Sequence, residues 1–170
     1  MKMKLLNFAL VLLILGSTTS IQAQENLNEI ERNSITGDFG TWLFFIKGDI
    51  SYQRIYKHKD LANGHVFYGY KFSTGISESF ENGTYVHTSV NHVILAGKKN
   101  SHFEINTGLN AYLYDLEREN FSNSGSEIFT IYSPNIDIGY RFQNMGKGGF
   151  TFRTGIGWPT GLYAGVGWSF

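Results

Sequence analysis

Hydrophobic and polar positions alternate along most of the chain beyond about residue 33, and the final segment shows this pattern most clearly. Its apolar positions share one parity: Leu162, Ala164, Val166, Trp168 and Phe170. The positions between them are mostly small or polar: Tyr163, Gly165, Gly167 and Ser169. Because successive side chains of a β-strand point to opposite faces, the pattern predicts a strand with one wholly apolar face.

The same alternation recurs upstream, with charges of both signs on the polar parity. These charged positions are Lys47, Asp49, Lys71, Glu104, Asp137, Arg141 and Arg153. Two segments fit less well. His92 interrupts the apolar parity of residues 86–94, and the segment from Ile35 to Phe39 is short. The register of the first two strands is therefore left open by the sequence.

Turn-forming residues separate the alternating segments. Asn82-Gly83 is a strong two-residue hairpin signal, and Pro159-Thr160-Gly161 predicts a tight turn before the last strand. We place loops at 40–43, 57–66, 80–83, 96–101, 116–127, 143–149 and 159–161. These connections predict an all-β fold over residues 33–170, namely an eight-stranded antiparallel up-and-down transmembrane β-barrel.

The first residues have the layout of a secretory signal peptide. Lys2 and Lys4 precede an apolar stretch from Leu5 to Gly16, and a small, polar region leads to Ala23. The apolar stretch is shorter than the ~20 residues that a spanning helix needs. We therefore expect residues 1–23 to be a signal peptide and residues 24–32 to be a polar periplasmic lead-in.

Composition narrows the class further. The chain has no cysteine, which excludes a disulfide framework, a thiolate metal site and a lipid anchor attached to cysteine. Its 14 basic and 14 acidic residues balance, so the overall charge gives no reason to expect nucleic-acid binding. Twenty glycines against two prolines, with 16% aromatic residues, favour curved strands.

Alternation alone does not distinguish a membrane barrel from a soluble, lipocalin-like carrier whose apolar side chains face inward. Aromatic residues near strand ends favour the membrane, because such rings suit the two lipid–water interfaces. They are Tyr52, Tyr70, Tyr140, Phe142, Phe150, Trp158, Trp168 and Phe170. The interior of an eight-stranded barrel is just wide enough for side chains to fill it. We therefore expect paired charges inside and no open pore.

The last strand, ending in Phe170 on the apolar parity, resembles that of bacterial outer-membrane β-barrels. The segments "GDISYQRIY", "LAGKKNSHFEINTGLNAYL" and "GKGGFTFRTGIGW" look like small barrels of Bacteroidetes-type bacteria. The resemblance implies a Gram-negative outer-membrane location and recognition of the final strand by the barrel assembly machinery. It implies no catalytic residues.

An even strand number places both termini in the periplasm. The connections at 40–43, 80–83, 116–127 and 159–161 are then extracellular, and those at 57–66, 96–101 and 143–149 are periplasmic. The polar stretch from Glu117 to Glu127 suits an extracellular loop. The ten-residue connection at 57–66 is long for the periplasmic side.

Candidate chemistry is sparse. His87-Thr88-Ser89 resembles the His-x-Ser pair of some outer-membrane lipid A deacylases, in which a base activates a hydroxyl. By parity, however, His87 and Ser89 face the lumen, and lipid would not reach them. His58 and His65 share one predicted loop and are the best histidines for a metal. A solvated loop explains them more simply, so we assign no catalytic, cofactor or metal residues.

The sequence thus predicts a monomeric outer-membrane barrel in contact with lipid, without a cofactor. Its expected role is structural, adhesive or ligand-docking through extracellular loops. The alternatives are a lipid A deacylase-like enzyme and a soluble periplasmic carrier.

Overall fold

The computed structural model describes residues 33–42, 45–79, 83–116, 127–145 and 148–170. The predicted signal peptide (1–23) and lead-in (24–32) lie outside the described residues. Within the described ranges no helix is long and apolar enough to cross a membrane.

Eight antiparallel strands follow one another around a closed barrel, as the sequence predicted. They are β1 (Asn33–Trp42), β2 (Phe45–Leu61), β3 (Gly64–Ser79), β4 (Gly83–Lys98), β5 (Ser101–Leu116), β6 (Glu127–Gln143), β7 (Gly149–Trp158) and β8 (Gly161–Ser169). Each strand pairs with its neighbours in sequence, and β1 also pairs with β8. We call the end where β1 begins and β8 finishes the terminal end, and the other the far end.

The seam between β1 and β8 closes the barrel. Ser34 pairs with Ser169, and Thr41 pairs with Leu162. At the terminal end the Asn33 amide donates to the Phe170 carbonyl at 3.0 Å, and the Phe170 amide donates to the Asn33 carbonyl at 2.8 Å. The seam leaves neither β1 nor β8 with an open edge along its paired length.

The apolar positions of the strands face outward and the charged positions face the lumen, as a membrane barrel requires. Ile50 and Leu162 on the outer wall are 68% and 62% exposed, whereas Asp137 and Arg153 on the inner face are 3% and 1% exposed. The aromatic residues predicted to form interface girdles all lie on the outer wall. Large apolar side chains therefore cover the outer wall, and charged side chains lie on the inner face.

The predicted loop at 57–66 is wrong. The ladder of β2 and β3 continues to Leu61 and Gly64, which leaves a two-residue turn. A β-bulge between Ile55 and Lys57 explains the error, because one extra residue reverses the parity of everything that follows it on the strand. The alternation breaks at Tyr56, so the sequence beyond it looks irregular although it is a strand.

The strands that flank the other predicted loops extend further into them than the sequence predicted. Gly40 pairs with Lys47, Gly97 pairs with His102, and β5 and β6 reach Leu116 and Glu127. Glycine and lysine weaken the hydrophobic alternation at these positions, but they do not prevent backbone hydrogen bonding. The register of β1 and β2, which the sequence left open, is continuous from Asn33↔Arg54 to Trp42↔Phe45.

Candidate functional site

The lumen contains a balanced set of buried charges. Its acidic side chains are Asp38, Asp49, Glu104 and Asp137, and its basic ones are Lys47, Lys71, Arg141 and Arg153. Alternation places them inside because each lies on the inward parity of its strand. All but Asp38 belong to the charged set that the sequence analysis singled out.

Glu104 is the centre of the larger charge cluster. Its Oε2 accepts a hydrogen bond from Arg141 Nε at 2.6 Å, and its Oε1 lies 2.7 Å from Arg153 Nη2. Arg153 Nη1 also donates to Asp38 Oδ2 at 3.1 Å. Buried charges are tolerated when they are paired and hydrogen-bonded, so this cluster depends on every member.

Arg153 is also held by an aromatic ring. Its guanidinium carbon lies 4.8 Å from the centre of the Tyr163 ring, a cation–π geometry. Gly155 on β7 is the direct partner of Tyr163 across the β7–β8 ladder. An added Cβ at 155 would collide with the Ile138 carbonyl oxygen and lie 2.7 Å from the Tyr163 hydroxyl, so glycine at 155 leaves room for the neighbouring backbone and for this ring.

A second cluster lies nearer the far end. Lys47 Nζ is 3.1 Å from Asp49 Oδ2, and the other Asp49 oxygen contacts His87 Nε2. Nδ1 of His87 lies 2.9 Å from Ser77 Oγ. Ser89 instead accepts a hydrogen bond from Asn91 Nδ2 at 3.0 Å. The candidate pair His87 and Ser89 therefore shares the lumen face, as predicted, but the two are not hydrogen-bonded to each other.

Ser77, His87 and Asp49 form a hydroxyl–imidazole–carboxylate chain, the order that activates a serine in hydrolases. Sequence reasoning missed Ser77 because it lies on β3, and only the register of β3 with β4 brings it to His87. A nucleophile must meet its substrate, yet His87 is 0% and Ser77 4% exposed. At this depth the hydrogen bonds among Ser77, His87 and Asp49 satisfy buried polar groups, and a substrate cannot reach them.

Little open space remains among the charged side chains of the lumen. The cavity among them has a free volume of about 10 Å³, which is room for about one water. Towards the terminal end an apolar plug fills the interior: Ile55, Phe67, Val93, Leu95 and Met145. The sequence analysis expected paired charges inside and did not foresee this plug.

An open cleft of about 530 Å³ lies beyond the plug at the terminal end, and His58, Asp60 and His65 help to line it. His65 Nδ1 lies 2.6 Å from Asp60 Oδ1, whereas His58 Nε2 is 3.9 Å from Asp60 Oδ2. Both histidines are on the β2–β3 hairpin and not in a loop. Among the described residues, no group of three or more His, Asp or Glu side chains could hold a metal ion.

Comparison with known proteins supports the fold. No protein-family model matches the chain, and no curated protein matches it. Among solved structures, it is similar to the N-terminal β-barrel domain of Pseudomonas aeruginosa OprF. The TM-score is 0.50 at 14% sequence identity, over 83% of this chain and 98% of that domain. At this identity, the likeness establishes a shared barrel fold and assigns no activity.

Proposed function

We propose that this chain is a non-enzymatic outer-membrane β-barrel with no open pore, and that it displays the β5–β6 hairpin for adhesion or ligand docking. The observation that carries the proposal is the inverted distribution of polarity. Large apolar side chains cover the wall, including Ile50, Leu109 and Leu162, while the charges of the lumen are buried. A soluble barrel would expose this apolar wall to water, whereas a bilayer solvates it.

One long connection supports the orientation. The ten residues 117–126 join β5 to β6 at the far end, whereas every other connection, at either end, has two to five residues. Barrels of this class have short periplasmic turns and longer extracellular loops. The terminal end therefore faces the periplasm, and the far end faces the medium.

The β5–β6 hairpin extends beyond the wall at the far end. Pairing of β6 with β7 begins at Ile136, so within the described chain residues 127–135 pair with β5 alone. Ile131 and Tyr132 point to opposite faces of the ribbon, and yet they are 51% and 73% exposed. Both a free strand edge and exposed apolar side chains favour docking of another surface.

The filled lumen supports the absence of a pore. About 10 Å³ of free volume remains among the lumen charges, and the apolar plug closes the terminal end. An ion crossing this interior would have to displace paired charges and then pass an apolar segment. The buried Ser77–His87–Asp49 chain supports a non-enzymatic role, because substrate does not reach it.

Labelling of single cysteines tests location and orientation together. The natural chain has no cysteine, so Thr130→Cys on β6 and Asn63→Cys in the β2–β3 turn each introduce a unique thiol. We expect a membrane-impermeant maleimide to label Thr130→Cys on intact cells, and Asn63→Cys only after the outer membrane is permeabilised. Labelling of Asn63→Cys alone on intact cells would reverse the orientation. Labelling of neither until lysis, with recovery in the soluble periplasm, would refute the membrane location.

Adhesion can be measured without a known ligand. Cells producing the protein are expected to settle together, or to attach to polystyrene, faster than cells carrying Ile131→Ser with Tyr132→Ser. Deletion of residues 117–126 should slow settling and attachment as the two serine substitutions do. The control is Leu61→Ser, which removes an exposed apolar residue at the opposite end. Equal adhesion of all variants, at equal surface amounts, would refute the adhesive role.

A further inference from the structure

The outer face of the β2–β3 hairpin at the terminal end combines cations with tyrosines. We call it the basic outer patch, and it consists of Arg54, Lys57, Lys59, Tyr56, Tyr68 and Tyr70. Its three cations are exposed. None of them forms an ion pair with a carboxylate in the part of the chain that the structure describes. In the lumen, by contrast, six of the eight charged side chains named above form ion pairs with one another.

The bulge at Tyr56 is what turns two of these cations outward. Before it, the odd-numbered residues Ser51 and Gln53 point into the lumen, so Lys57 would also point inward on an uninterrupted strand. The extra residue reverses the parity, and Lys57 then pairs with outward-facing Tyr68. Bulges re-aim side chains in this way at the rims of barrels.

The nearby carboxylates do not neutralise the patch. Asp60 follows Lys59 on the strand but pairs with His65, with 2.6 Å between Oδ1 and Nδ1. Glu78 faces outward on β3 but lies near the far end. Among the described residues, the patch is therefore a surface of net positive charge.

The tyrosines place the patch at a lipid–water boundary. Arg54 pairs with Asn33, the first residue of β1, so it is level with the terminal edge of the wall. The rings of Tyr56 and Tyr70 stack at 4.8 Å, and the Tyr56 hydroxyl lies 2.8 Å from His92 Nε2. Ring bodies in the apolar layer with polar groups at its edge are typical of residues at a membrane interface.

We infer that the basic outer patch binds the headgroups of anionic phospholipids in the periplasmic leaflet. The inference rests on the proposed membrane location and orientation. Arg54 and Lys57 supply donors for the headgroup phosphate, and the stacked tyrosines pack against the parts of the acyl chains nearest the headgroup. Unneutralised cations at this depth attract anionic headgroups and give no advantage with zwitterionic ones.

The test is native mass spectrometry of the full chain in detergent micelles containing equal amounts of phosphatidylglycerol and phosphatidylethanolamine. The natural protein should carry phosphatidylglycerol in preference. Because each cation near an anionic lipid contributes about fivefold in affinity, Arg54→Gln with Lys57→Gln should reduce that preference by tenfold or more. The matched control is Arg54→Lys with Lys57→Arg, which keeps the charge and should keep the preference.

Heat-modifiable gel migration of each sample separates the possible failures. Loss of the folded band in the natural protein would count against the proposed barrel, and therefore against both the proposed function and the lipid-binding inference. A folded band with equal binding of the two lipids would overturn this inference alone. So would a lipid-free dimer, since a second copy of the chain would then cover the patch.

Discussion

Replacing Glu104 with glutamine is expected to lower the free energy of unfolding by about 3–5 kcal/mol, the cost of breaking a buried ion pair from one side. Glu104 is fully buried, and its two oxygens face the Arg141 and Arg153 guanidiniums at 2.6 and 2.7 Å. Without this carboxylate the two guanidiniums share one low-dielectric space, and Asp38 remains as the ion-pair partner of Arg153. Repulsion between them then adds to their desolvation cost.

Urea unfolding in lipid vesicles, followed by tryptophan fluorescence, would measure this loss. Glu78→Gln is the matched control, because it removes the same charge from an exposed position on β3 and should change stability by less than about 0.5 kcal/mol. Adding Arg141→Met to Glu104→Gln should recover part of the loss, since one uncompensated charge is then removed. Equal stability of the Glu104 and Glu78 variants would show that the lumen cluster contributes nothing.

Arginine in place of Ile50 is expected to destabilise the barrel by about 2–4 kcal/mol in a bilayer, as charged substitutions do at the midplane of such barrels. Ile50 is 68% exposed on the outer wall. It pairs with Gly37 in the middle of β1 and with Thr74 on β3, so it is far from both ends. At this depth the guanidinium has neither water nor a partner within reach.

Thr84→Arg is the control for this substitution. Thr84 is exposed, the second residue of β4 and close to the far end, where the same change should cost about 0–1 kcal/mol. The difference in destabilisation between the two sites, measured by unfolding in vesicles, reports how deep each site lies in the bilayer. If both variants were as stable as the natural protein, and both were recovered without detergent, the soluble-carrier alternative would replace the membrane barrel.

The sequence predicted the barrel and its inside–outside distribution because period-two alternation depends only on the pleat of a strand. Trp168 and Phe170 share one parity, and both lie on the outer wall. The same reasoning failed at the bulge, because a single extra residue at Tyr56 changes the parity without leaving a compositional sign. His58 and His65 consequently appeared to lie in one loop.

The candidate site was less predictable than the fold. The set of buried charges followed from parity, but their partners did not, because pairing depends on the stagger between strands. Ser77 therefore could not be assigned to His87. The apolar plug did have a signal, since Val93 and Leu95 occupy inward positions within a run that is apolar on both parities.

The contact between Asn33 and Phe170 has a consequence for how the molecule assembles. It joins the first and last described residues, so its loop-closure entropy is the largest in the barrel. Until it forms, the open sheet has two unpaired edges that invite pairing with other chains. Assembly therefore requires that these two edges pair with each other before either pairs with another chain, and we expect a chain lacking the last strand to remain open and prone to aggregation.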